Sequence, residues 1–136
     1  MSMAERTTFE AVDAGVRAAI AAYTQALDDG RTDDVVATFC ADGACDIPGL
    51  GAHEGTEALR AAYARVVPRL PQRHLVLNTL VTSWSGSSAE ATSDVVFLLL
   101  RDGAWSTMLV GRYIDTLRHE DDGVWRFVRR SASFLP

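Results

Sequence analysis

The chain has no lysine: all 13 of its basic residues are arginine. Schiff-base chemistry needs a lysine amine, so pyridoxal enzymes and one class of aldolases are excluded. Long apolar runs are also missing. The longest, Val95 to Leu100, is far short of the roughly 20 residues of a spanning helix, and the first helical pattern carries Asp13 and Arg17. Neither a membrane span nor a secretory signal is read here. Positive charge is scarce. Against 18 acidic residues the arginines leave a net charge of -5, and they are interspersed along the chain. Phosphate binding needs clustered cations, so no nucleic-acid partner is expected. Only two cysteines occur; Cys40 and Cys45 match neither a CxxC redox pair nor a zinc knuckle, which points to a reducing, cytoplasmic location. Both are expected to be small packing residues.

What is present suits one domain of 136 residues with 48% apolar composition. Residues 1–6 are expected to form a flexible tail. Phe9, Val12, Val16, Ile20, Tyr23 and Leu27 recur every three or four residues, the spacing of one apolar helix face. Thr7 with Glu10 has the form of a capping box, and Gly30 suits a left-handed helix end. Thr32 is expected to cap a second helix ending near Cys40, and Thr56 a third carrying Leu59, Tyr63 and Val66 and closed by Pro68 and Pro71. Between them a short strand, Ala44 to Ile47, leads into a glycine-rich loop.

From His74 the period changes to two, with turn signals at Ser85-Gly86, Asp102-Gly103 and Asp122-Gly123. This predicts four antiparallel strands: His74 to Trp84, Ala89 to Arg101, Ala104 to Glu120 and Val124 to Phe134. Strands this long imply a strongly twisted, curved sheet. The expected class is α+β, N-terminal helices packed on a mainly antiparallel sheet. Both faces of the first long strand are bulky, Leu75, Leu77 and Val81 against Val76, Leu80 and Trp84. Helices can cover one face; a second copy of the chain is expected to cover the other, giving a homodimer.

Several polar residues sit where apolar ones belong. Asn78, the single asparagine, lies mid-strand with the parity of His74, so the two are expected to project together. Tyr113 and Asp115 share a face, and Tyr23 lies on the apolar side of the first helix with Asp28 at its end. Their convergence would make a pocket for a small apolar molecule, with Leu27, Tyr63 and Val76 in its walls. There His74 would act as acid or base, oriented by Asp28 or Asp115, while Tyr23, Asn78 and Tyr113 hold a substrate oxygen. The bland alternative is a core whose polar groups satisfy one another. His53-Glu54 and the run His119 to Asp122 read as a solvated loop and turn, so no metal is expected, and no cofactor.

The segments Tyr23 to Gly30, Phe39 to Ala44, His74 to Asn78, Gly111 to Asp115 and Asp122 to Arg130, with Gly55 and the helix after it, occur in an order that resembles the SnoaL-like branch of the nuclear-transport-factor-2-like superfamily. The resemblance spans nearly the whole chain and implies a cone-shaped α+β barrel. Its members include polyketide cyclases, ketosteroid isomerases, scytalone dehydratases, limonene epoxide hydrolases and the small subunits of ring-hydroxylating dioxygenases. Compared with the isomerases, Tyr23 and Asp115 match the oxyanion-stabilising pair, but Ile47 stands where the proton-abstracting aspartate would be, and Asp46 is one residue off. Compared with the dehydratases, Asp28 and His74 match an acid-base pair, and Ser93 and Asp94 occupy the region of the second histidine. Arg112 and Asp115 loosely match the epoxide hydrolase pattern. The resemblance implies cofactor-independent lyase or isomerase chemistry on a small carbonyl or hydroxy compound. Its alternatives are a ligand carrier without chemistry and a structural subunit of a larger complex.

Overall fold

The computed structural model describes residues 7–136, so the tail expected over residues 1–6 lies outside it. Helix α1, Phe9–Asp28, buries Val12, Val16, Ile20 and Tyr23 as its periodicity requires. Its cap is Thr8, whose hydroxyl accepts from the Ala11 amide at 3.2 Å, in place of the expected Thr7. Gly30 ends it with φ +72°, the left-handed turn that glycine adopts without steric cost. Thr32 and Thr56 are the first residues of α2, Thr32–Ala37, and α3, Thr56–Ala64, and not their caps. Arg31 and Gly55 hold the cap positions, without a side-chain bond. Strand β1, Phe39–Ile47, starts earlier than expected, and the expected glycine-rich loop folds back as β2, Gly51–Glu54. His53 thus lies on a strand and bonds to the Leu50 carbonyl.

The four long strands follow the sequence reading closely. They are β3, Gln72–Trp84, β4, Ser88–Arg101, β5, Ala104–His119, and β6, Trp125–Phe134. The sheet runs β2-β1-β6-β5-β4-β3, antiparallel except where β1 lies parallel to β6. It curls around the helices without closing, and α1 packs across it from β3 to β6.

One bulge decides which side chains enter the hollow. Leu77 pairs with Asp94 and Leu80 with Thr92, so Asn78 and Thr79 together oppose Ser93. Asn78 takes φ +56°, a left-handed conformation that asparagine tolerates better than most residues. The extra residue reverses the parity of β3. Before the bulge His74 and Val76 face inward; after it Thr79 and Val81 do, and Leu80 joins Leu75 and Leu77 outside. The strict alternation assumed from sequence therefore holds only as far as Leu77.

Cross-strand neighbours then stack in rows on the inner face: His74 with Phe97 and Leu109, Val95 with Gly111 and Phe134, Asp115 with Arg130. At Gly111 a Cβ would stand 2.7 Å from the Phe134 ring, so only glycine lets that ring close over the sheet. The core beneath α1 is aromatic, with the Tyr23 and Phe39 rings against each other and each against Tyr63 and Phe127.

Candidate active site

The C-terminal turn of α1 and the start of β3 meet at Asp28 and His74. His74 Nδ1 lies 2.6 Å from Asp28 Oδ1, the His74 amide donates to Oδ2 at 2.7 Å, and Gln72 Nε2 donates to Oδ1 at 3.0 Å. Gln72 shares the inward parity of His74, which is the sequence signal for this missed contact. Burial acts to raise the Asp28 carboxyl. The hydrogen bonds from the His74 ring, the His74 amide and Gln72 outweigh it and hold the group below its ordinary value. An ionised carboxylate only accepts, so the bond fixes the proton of a neutral imidazole on Nδ1 and leaves Nε2 with a free lone pair. Phe97 stacks on the ring with centroids 4.5 Å apart, which sets its plane.

His74 borders two spaces. On one side lies an open, partly polar groove of about 580 Å³ between α1 and β3, bordered by Arg17, Gln25, Asp29, Arg73 and Val76. On the other lies a cavity of about 220 Å³ whose walls include Leu27, Tyr63, Phe97, Leu109, Tyr113 and Phe134. An apolar and aromatic lining with a few convergent polar groups is the usual form of a small-molecule site. The cavity is therefore the candidate, with His74, Gln72, Tyr113 and the Tyr23-Tyr63 pair as its polar groups.

The tyrosines differ in what they offer. Tyr23 and Tyr63 share a hydrogen bond of 2.7 Å between their hydroxyls. The Tyr113 hydroxyl has no hydrogen-bond partner among the described residues and is open to the cavity. Burial pushes all three phenols up, so they are neutral donors.

Three residues expected in the cavity lie elsewhere. The bulge turns Asn78 to the outer face, where its amide donates to Asp94 Oδ2 at 2.8 Å. Arg112 grips the same carboxylate at 2.8 and 3.0 Å, so the loose pairing of Arg112 with Asp115 is also set aside. Asp115 does share the inner face with Tyr113, but it lies against Arg130, with Nε 3.1 Å from Oδ1 and neither side chain exposed. It does not meet His74; Asp28 is the orienting carboxylate. The groups face each other without hydrogen-bond alignment, and burial pushes the Asp115 carboxyl up to about 6 against the pull of the guanidinium. Val76 borders the outer groove and not the cavity. Arg130 itself was missed from sequence, although an acid at an inward position asks for a buried cation opposite it.

The family model described as "SnoaL-like domain" matches residues 11–131. The chain belongs to the SnoaL-like family. Solved structures similar to this SnoaL-like chain include a protein of unknown function from Mycobacterium tuberculosis, 24% identical with a TM-score of 0.83 over 91% of this chain and 72% of that one. An NTF2-like protein with a cystatin-like fold from Novosphingobium aromaticivorans is 24% identical, TM-score 0.81, over 90% and 81%. A Catenulispora acidiphila protein in complex with S-DNPA is 23% identical, TM-score 0.81, over 92% and 94%. No curated protein matches the sequence. Within the described residues no helix is long and apolar enough to cross a membrane.

Proposed function

We propose that this SnoaL-like chain carries out lyase or isomerase chemistry on a small apolar carbonyl or hydroxy compound, using its own side chains to move the proton. The observation that carries the reading is the Asp28-His74 contact of 2.6 Å at the wall of an otherwise apolar cavity. His74 Nε2 takes a proton from a carbon or hydroxyl beside the substrate carbonyl and returns it at a neighbouring position or to a departing hydroxyl. Asp28 holds the tautomer and balances the charge of the imidazolium formed in the step. Tyr113 donates to the oxygen that gains negative charge. A carrier without chemistry needs the cavity but not the dyad, and the ordered approach of three donors to Asp28 favours the catalytic reading.

Screening cyclic β-hydroxy ketones and β,γ-unsaturated ketones for dehydration or isomerisation tests it. His74→Ala should lower turnover by about 10²- to 10⁴-fold while the cavity still binds the substrate. Unchanged turnover on a compound the wild type converts would remove His74 from the mechanism.

The outer face of the sheet supports a homodimer. Leu75, Leu77, Leu80, Val110 and Ile114 are each 40% or more exposed there, on β3 and β5 to either side of β4, which carries Val96, Asp94 and Thr92 between them. Exposed large apolar side chains grouped on one face, with the Asn78-Asp94-Arg112 polar cluster among them, mark an interface more often than a free wall.

A further inference from the structure

Under the cavity lies a charge that the acid-base reading leaves unused. Arg130 and Asp115 face each other across β5 and β6 with no exposed side-chain surface, and none of their charged nitrogen or oxygen atoms makes a hydrogen bond. As a device for stability this is poor, since desolvation offsets most of the attraction in such a pair. What Arg130 does touch is aromatic. Its guanidinium carbon stands 3.5 Å from the centre of the Tyr113 ring, nearer than to Tyr23 at 4.3 Å or Phe127 at 4.7 Å. A cation against a ring face draws on its π electrons, and in a phenol that polarises the O–H bond. The Tyr113 hydroxyl is the one of the three that is open to the cavity without a partner among the described residues.

We infer that Arg130 is a positioning residue acting through Tyr113: stacked beneath the ring, its buried cation strengthens the Tyr113 hydroxyl as a hydrogen-bond donor to a carbonyl or enolate oxygen held in the cavity. This rests on the reading that the cavity takes a carbonyl compound, and it adds a preference within that class. Ligands whose oxygen carries more negative charge gain most. Asp115 acts in the opposite sense, and at Tyr113 the influence of Arg130 is the larger of the two. The carboxylate thus tempers the cation, so the two substitutions have opposite signs.

The probe is acetophenone labelled with ¹³C at the carbonyl, its stretch read by infrared difference spectroscopy in the cavity. Tyr113→Phe should raise the stretch. The pair Arg130→Met with Asp115→Leu, which leaves no unpaired buried charge, should raise it by less than Tyr113→Phe. Asp115→Asn alone, which leaves the cation unopposed, should lower it below the wild-type value. A role in packing alone would not give opposite signs, and either variant by itself tests the sign if the other fails to fold. Stretches unmoved by the Arg130 and Asp115 variants, while Tyr113→Phe moves its own, would overturn the role of Arg130 and leave the cavity reading standing. A probe that does not bind, or a stretch indifferent to Tyr113→Phe, would instead fell the cavity reading, and this inference with it.

Discussion

Arg130 and Asp115 show how one residue's cost depends on its neighbour. Each is a full charge withdrawn from water, and each tolerates that only because the other is 3.1 Å away. Arg130→Met alone leaves a carboxyl with no cation, and urea denaturation should report a loss of about 3–5 kcal/mol. Adding Asp115→Leu removes the orphan, and stability should return to near the wild-type value or above it. A double variant as unstable as the single one would mean that the guanidinium matters through its stacking on Tyr113 and Phe127 rather than its charge. Asp28 is the opposite case. Its carboxylate collects three donors in a half-buried site, so it stays ionised and keeps His74 in one orientation.

At the level of elements, β3 matters most, because its bulge selects which side chains share the hollow. The device is local: a residue with φ +56° and one extra position against Ser93. Asn78→Gly keeps access to that conformation and should shift stability by only a few tenths of a kcal/mol, whereas Asn78→Val should cost roughly 1–2 kcal/mol through clash of the branched side chain. Thermal melts of the two variants check this. Equal melting temperatures would show that the bulge is imposed by the strands around it and not by the asparagine. The same bulge frees Asn78 to join Asp94 and Arg112 outside, a polar group set amid Leu75, Leu77 and Ile114.

For the whole molecule, the outer sheet face and the pH response are the tests. Ile114 is 53% exposed on the outer face of β5. Light scattering should give twice the chain mass for the wild type at micromolar concentration and the single-chain mass for Ile114→Asp; a monomeric wild type would refute the dimer. The two carboxyls make stability respond to pH in opposite directions. Asp28, held below its ordinary value, contributes stability that is fully present above an unfolded value of about 4 and is lost as pH falls through its lower folded value. Asp115, pushed up to about 6 by burial, works in reverse. Folding takes up a proton there, so its cost is complete above about 6 and relieved as pH falls toward the unfolded value of about 4. Urea denaturation should therefore find the protein more stable near pH 5 than near pH 7.5, with a decline below about pH 4. The first change should vanish when Asp115→Leu and Arg130→Met are combined.

By itself the sequence determined the elements. Apolar spacing in α1 and period-two alternation with paired turn residues in β3 to β6 are local signals, and each element formed within about two residues of where those signals put it. The early start of β1 was not legible, because its first residues pair with a parallel neighbour, β6, that lies far along the chain; β2, its antiparallel neighbour, lay hidden in a glycine-rich segment that reads as loop. Among the polar residues, Asp28, His74, Tyr23 and Tyr113 could be named from type and parity. Which carboxylate meets His74 was decided only by the tertiary structure. That choice rests on where the end of α1 comes down on β3 and on the cross-strand register that gives Asp115 to Arg130; the bulge, separately, sends Asn78 outward. These are relations between distant segments, and a one-residue change of register inverts them without altering any local pattern.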